Sequence, residues 1–270
     1  MVSDFNHTIK KSLAEKDKSI YLKKLFLYLE KNPSSSYEFW TVDEIPFLIL
    51  QELITPFSQL SLPEIENKSF SDVITVLNIL QIIVTDRSVR EDFLNAQYPF
   101  YIYPYLNTNS LNNQFESLRI AGLGVIGQLL KDDDKKTALY LQNTEIVPLT
   151  LKIMDIGSIV SKKIATYIFL KIIGSDEGLE YACQTFERFI AISVILNTMV
   201  AQLLENMDKN LLKSVLRCYV RLVNQDNVRI SYATKPPEAL CSREMAKIIE
   251  DDKDIRELFS LFKKIINSSH

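Results

Sequence analysis

Histidine is almost missing from this chain. Its 270 residues hold two, His7 and His270, at opposite ends in polar surroundings, so a histidine-dependent triad or a multi-histidine metal site would need both tails in one pocket. Cysteine is scarce as well. Cys183, Cys218 and Cys241 are an odd number without C-x-x-C spacing, and two lie in apolar helical patterns, which predicts packed, reduced thiols and suits the cytosol or nucleus. Cys183 has no histidine partner and is flanked by Tyr181 and Ala182, so it reads as a packed thiol rather than a nucleophile. No apolar run approaches the roughly 18 residues of a membrane helix, and the opening M-V-S-D-F-N-H-T-I-K-K has no signal-peptide core. The expectation is a chain neither secreted nor membrane-spanning. With 31 Lys plus Arg against 34 Asp plus Glu, for a net charge of -3, composition carries no whole-chain signal for nucleic acid.

What is abundant is helical periodicity. The stretch Leu118 to Leu130, L-R-I-A-G-L-G-V-I-G-Q-L-L, contains Gly122, Gly124 and Gly127 at the spacing of a dinucleotide-binding fingerprint. That fingerprint needs a strand before the first glycine and a helix starting after it. Here Phe115, Leu118, Gly122, Val125, Ile126 and Leu129 continue one helical face through the glycines. Each glycine costs a helix interior about 1 kcal/mol relative to alanine, so the predicted reason for them is close approach of a neighbouring helix.

Four apolar helices, near 73–84, 118–130, 161–173 and 211–223, each run into a polar turn holding Asp86, Asp132, Asp176 and Asp226, at spacings of 46, 44 and 50. Second amphipathic segments follow at 89–96, 136–142, 178–187 and 228–232. Pro99 and Pro148 place two third helices in register, so the aromatic run 98–106 is expected to be helical. Earlier helices are expected at 20–30 and 45–57, the latter with Pro46 in its first turn, and 60–69 as a loop with Pro63. The carboxyl-terminal region opens with a turn and short helix from Lys235 and ends in an amphipathic helix over 254–266. A helical repeat of about 40 to 47 residues is the armadillo or HEAT signature, in which neighbours stack into one core and terminal helices cap it. The fold expected is all-α, an armadillo-like right-handed helical-repeat solenoid. Its expected domains are a flexible 1–19, a single repeat domain over 20–266 and a tail at 267–270. The D-D-D run at 132–134 reads as a helix cap rather than a metal site, and no cofactor is expected.

The stretches L-R-I-A-G-L-G-V-I-G-Q-L-L-K (118–131), N-T-E-I-V-P-L-T-L-K-I-M (143–154), C-Q-T-F-E-R-F (183–189) and L-L-K-S-V-L-R-C-Y-V-R-L (211–222) closely resemble the "required for cell differentiation" family, the armadillo-type subunit of the Ccr-Not mRNA deadenylase complex. V-R-E-D-F-L-N-A (89–96) and Y-P-F-Y-I-Y-P-Y-L (98–106) fit too, so the resemblance spans about Phe39 to Ile266. It implies a non-enzymatic adaptor of about six repeats that docks on the Not scaffold subunit, takes tryptophan-containing or other short peptide motifs of RNA-associated repressors, and self-associates. It also implies a basic cleft proposed to bind nucleic acid, and a cytoplasmic, additionally nuclear, location.

Carried over by position, the resemblance assigns the peptide pocket to Phe186, Arg188, Asn227 and Arg229. Phe186 stands where the family has tyrosine, and Asn227 replaces the first of two arginines. An arginine over an indole contributes about 0.5 to 2 kcal/mol. Scaffold docking is assigned to Trp40, Thr41, Asp43, Phe47 and Gln51; the family gives His, Phe and a small residue at positions 41, 43 and 47. Trp40 is equally readable as core or interface anchor. Arg119, Arg217 and Arg221 are the nucleic-acid candidates, against the plainer reading of solvated surface charge.

Overall fold

The computed structural model describes residues 17–60, 70–110, 112–132 and 134–268; the amino-terminal residues and the loop with Pro63 considered above lie outside them. All regular structure among the described residues is helical. The chain divides into two compact units, with the boundary between Lys131 and Asp132.

The first unit contains α1 (Lys18–Lys31), α2 (Ser36–Trp40), α3 (Glu44–Ile54), α4 (Ser71–Ile83), α5 (Arg87–Asn95), α6 (Pro99–Leu106) and α7 (Asn113–Leu129). Helix α4 packs on both α1 and α7, and Val73, Val76, Leu77, Leu80 and Ile83 supply its buried residues at the three-four spacing. Asp86 accepts from the Ser88 and Val89 amides and starts α5, a cap worth about 1 kcal/mol. The aromatic run is helical, as its register predicts. Pro99 sits in the first turn of α6, where a missing N–H costs little. Tyr98 stacks on Phe93 at 5.1 Å and meets Trp40 edge-on at 5.3 Å. The Tyr98 and Tyr105 hydroxyls donate to the Pro46 and Leu53 carbonyls, tying this segment to α3.

The three glycines lie deep inside α7, which begins at Asn113, so the strand-turn-helix context of a nucleotide fingerprint is absent there. A methyl group at Gly122 would come within 3.0 Å of Leu106 and 3.1 Å of Ile102 on α6, and one at Gly124 would meet the Gln81 side chain of α4. Close helix approach accounts for these two positions.

The second unit contains α8 (Lys135–Gln142), α9 (Ile146–Ile156), α10 (Ile159–Ile173), α11 (Asp176–Cys183), α12 (Phe186–Glu205), α13 (Lys209–Leu222), α14 (Asp226–Thr234), α15 (Arg243–Asp251) and α16 (Lys253–Asn267). Here α13 packs between α10 and α16, the arrangement α4 has in the first unit. Tyr219, Tyr232 and Phe262 form an aromatic cluster with centroids 5.8 to 6.0 Å apart that seats the terminal helix.

Several local expectations are corrected. The segment 178–187 is broken: α11 stops at Cys183, and Thr185, in extended conformation, caps a new helix by accepting from the Arg188 amide. The D-D-D run is a helix cap as expected, with Asp134 accepting from the Lys136 amide to start α8. Asp176 and Asp226 occupy first turns, after Ser175 and Gln225, where their charge favours the positive helix end. A further helix, α15, is started by Ser242, and Asp252 caps the last helix. The expectation that no segment reaches membrane-spanning length also fails: α12 has 20 residues, and an 18-residue window within it has a mean hydropathy of 1.4 with only 33% of it buried. Of the thiols, Cys218 is buried, Cys183 half-buried and Cys241 exposed.

Candidate partner-binding faces

Helix α3 is apolar on two sides. Its inner side, Ile45, Ile49 and Leu53, is fully buried. Its outer side carries Phe47, Leu50, Gln51 and Ile54 at offsets of three, four and seven, the spacing of one helical face. Phe47 is 78% exposed, Ile54 44% and, on neighbouring α2, Tyr37 48%. Thr41 and Asp43 are exposed in the turn between α2 and α3; Thr41 Oγ1 donates back to the Tyr37 and Glu38 carbonyls. Trp40 differs from the rest of this group. It is buried against Tyr98, so it supports the face from beneath.

Beneath the same helix lies a buried carboxylate. Glu52 is held by Lys18 Nζ at 2.9 Å, while its second oxygen has no hydrogen-bond partner among the described residues. The ion pair ties α1 to α3.

The second face lies on α12. Phe186, Ile190 and Val194, spaced by four, are 70%, 39% and 58% exposed and form an apolar ridge. Ile230 on α14 is 61% exposed. Two hollows are built from α12. One, of about 230 Å³, is lined by Val147, Pro148 and Leu151 of α9 with Tyr181, Arg188 and Ile192. The other, of about 340 Å³, lies between α12 and α14 and is lined by Phe189, Ile190, Ser193, Val194, Tyr232 and the Pro236–Pro237 turn. Tyr232 OH donates to Ser193 Oγ at 2.9 Å, and Phe189 packs edge-on against Tyr232 at 5.3 Å, so the floor of the second hollow is fixed.

Arg188 is already engaged within the chain. Its guanidinium lies 4.4 Å from the Tyr181 ring centroid and donates to the Tyr181 carbonyl at 3.1 Å and to Gln184 Oε1 at 2.9 Å. It forms the wall of the first hollow, whereas Phe186, two residues earlier on the helix, stands on a different side. Asn227 is exposed, and Arg229 pairs with Asp226 at 2.9 Å along its own first turn. Phe186, Asn227 and Arg229 line neither hollow. The apolar contributors that sequence reasoning missed are Ile190, Val194, Ile230 and Tyr181; the spacing of Phe186, Ile190 and Val194 was visible, but in a helix so apolar it reads as core.

The nucleic-acid candidates do not form one surface. Arg119 is fully buried. Its Nη1 donates to the Thr108 carbonyl, Thr108 Oγ1 and the Ser110 carbonyl, and its Nε and Nη2 donate to Glu116 Oε2 at 3.0 and 2.7 Å. It braces the turn between α6 and α7, because loop carbonyls withdrawn from water need a donor. Arg221 likewise donates to the Ile173 carbonyl at the end of α10 and to Asp176, each at 2.7 Å. Arg217 is the exposed member. Among the described residues no group of three or more metal-ligating side chains occurs.

Burial raises the Cys183 thiol to about 11 and the Cys218 thiol to about 12, which opposes thiolate chemistry at neutral pH. Cell differentiation protein rcd1 of Schizosaccharomyces pombe is 39% identical over 221 residues, covering 82% of this chain and 77% of that protein. Protein CAF40 of Saccharomyces cerevisiae is 35% identical over 214 residues, covering 79% of this chain and 57% of that protein. The model of the Rcd1-like cell differentiation family matches residues 8–266, and the chain belongs to that family.

Proposed function

We propose that this chain is a non-enzymatic adaptor subunit of the Ccr-Not mRNA deadenylase complex. In this reading the outer face of α3, with Phe47, Leu50 and Ile54, docks on the Not scaffold subunit. The α12 ridge and its two hollows take short peptide motifs, tryptophan-containing ones among them, from RNA-associated repressors. Holding a deadenylase beside a chosen mRNA raises its effective concentration with no chemistry in the adaptor, promoting decay and translational repression in the cytoplasm and nucleus. Family membership supports the complex. The observation that carries the docking assignment is α3 itself: one side is fully buried, and the other presents Phe47 at 78% exposure beside Leu50 and Ile54. Large exposed apolar side chains on one helical face mark an interaction surface rather than chance.

At the peptide site, Arg188 supplies a rigid wall, with its cation already stacked on Tyr181. An incoming aromatic would gain chiefly from apolar burial against Pro148, Leu151 and Ile192. Engagement of Arg119 and Arg221 within the chain weighs against nucleic acid as the main ligand.

The test is co-purification of the tagged protein from its own cells, with nuclease present, and identification of partners by mass spectrometry. The proposal expects the Not scaffold and deadenylase subunits in stoichiometric yield. Their absence, with RNA or unrelated proteins recovered instead, would favour a stand-alone binding module.

A further inference from the structure

The outer stripe of α3 begins with a charge. Asp43, in helical conformation directly before the helix, precedes Phe47, Leu50 and Ile54 by four, seven and eleven residues. At about 100° per residue these four side chains fall within roughly 60° of arc, so Asp43 shares the apolar stripe rather than standing behind it. Its carboxylate is exposed and makes no hydrogen bond or ion pair with a described residue. That sets it apart from Asp17, Asp86, Asp134, Asp208 and Asp252, each of which precedes a helix and accepts from an amide of its first turn. No cation is supplied locally either. Between Lys31 and Lys68 the sequence has no lysine or arginine, while Glu44 next to Asp43 and Glu38 on α2 are exposed and add to its sign. The Lys18 ammonium, which reaches α3 from α1, is committed to Glu52 at 2.9 Å.

A solvated carboxylate is tolerated while this face meets water. Once a partner covers Phe47, Leu50 and Ile54, Asp43 loses water with them, and a charge withdrawn from water without an opposite charge is strongly unfavourable. The partner must therefore bring a cation to the head of the stripe. An acidic or phosphate-bearing ligand has the wrong sign for Glu38, Asp43 and Glu44, and a second copy of this face offers no lysine or arginine from within 32–67. Resting on the assignment of α3 as the scaffold-docking face, we propose that the scaffold segment seated there is apolar along Phe47, Leu50 and Ile54 and carries an arginine or lysine that pairs with Asp43. The pair makes the interface selective, because a similar apolar segment without the cation would leave Asp43 buried and unpaired.

The experiment is calorimetric titration of the purified Not scaffold subunit with the native chain, Asp43→Asn, Asp43→Leu and Phe47→Glu. Asparagine keeps the size of the side chain and removes its charge; leucine replaces the charge by a group suited to an apolar stripe. With a cation opposite, both Asp43 variants leave it unpaired, and each should bind roughly tenfold or more weakly than the native chain. A smaller loss in either variant, or tighter binding by Asp43→Leu because an uncompensated desolvation is relieved, would overturn the proposal. Phe47→Glu separates this outcome from the docking reading. If it loses binding while the Asp43 variants do not, α3 remains the docking face and the cation is ruled out. If it binds as the native chain does, or the native chain does not bind, the face falls and the proposal with it. The Asp43 carboxylate holds no other described group, so both variants are expected to fold, and melting temperatures check this.

Discussion

Replacing Arg119 by methionine separates a structural arginine from a ligand-binding one. Methionine keeps most of the apolar stem but removes every donor. The Thr108 and Ser110 carbonyls and the Thr108 hydroxyl lose their Nη1 partner, and Glu116 loses contacts at 2.7 and 3.0 Å. Arg119 is completely buried and the Glu116 side chain is 14% exposed, so the carboxylate would remain largely desolvated without this cation. Breaking one side of such a pair costs about 3 to 5 kcal/mol. In a protein of this size each kcal/mol moves the melting temperature by about 2 to 4 °C, so Arg119→Met should melt about 6 to 20 °C lower. Scanning calorimetry reads this directly. A shift equivalent to less than about 0.5 kcal/mol, the usual effect of a surface substitution, would refute the bracing role. If it came with lost RNA affinity, the nucleic-acid reading would return.

Other outcomes follow from the same geometry. Gly178→Ala should destabilise the second unit by roughly 1 to 3 kcal/mol, the usual cost of overpacking, because the new methyl would lie 1.9 Å from the Ile172 carbonyl oxygen; denaturant midpoints check it. In native protein at pH 8, Cys241 should alkylate first, Cys183 slowly and Cys218 only on unfolding, since Cys241 is exposed and burial lifts the other two to about 11 and 12; peptide mapping after timed iodoacetamide gives the order. Asp208 is held below the usual carboxylate range, chiefly by its hydrogen bond from Lys163 and also by the Leu211 amide. Its stabilisation is therefore present above the unfolded-state value near pH 4 and is lost as pH falls through the lower folded value. Asp208→Asn should flatten the acid limb of a stability-pH curve, and an unchanged limb would argue against the interaction.

Much of the fold is legible in the sequence because helical periodicity survives the interruptions that look most informative. Gly122 and Gly124 resemble a nucleotide loop, yet Phe115, Leu118, Val125 and Leu129 continue a single face, and α7 follows that face. The exposed α3 side was legible through the family pattern at Thr41, Asp43, Phe47 and Gln51. Arg119 was not legible: charge alone predicts a surface residue, and the carbonyls that hold it belong to a turn whose backbone geometry no periodicity encodes. The break at Thr185 was hidden for a similar reason. One capping hydrogen bond decides it, and only that turn allows Arg188 to fold back onto Tyr181.

The most direct test of the central claim is the binding isotherm between the purified chain and the Not scaffold subunit proposed above as its partner, repeated with Phe47→Glu. Because Phe47 is 78% exposed, the substitution should change stability by less than about 0.5 kcal/mol. Placing a charge at a buried interface position should weaken binding at least tenfold, about 1.4 kcal/mol or more. Saturable binding by the native chain, lost in the variant at unchanged melting temperature, is the predicted result. No binding by the native chain, or equal binding by both, would contradict the assignment of α3 as the docking face.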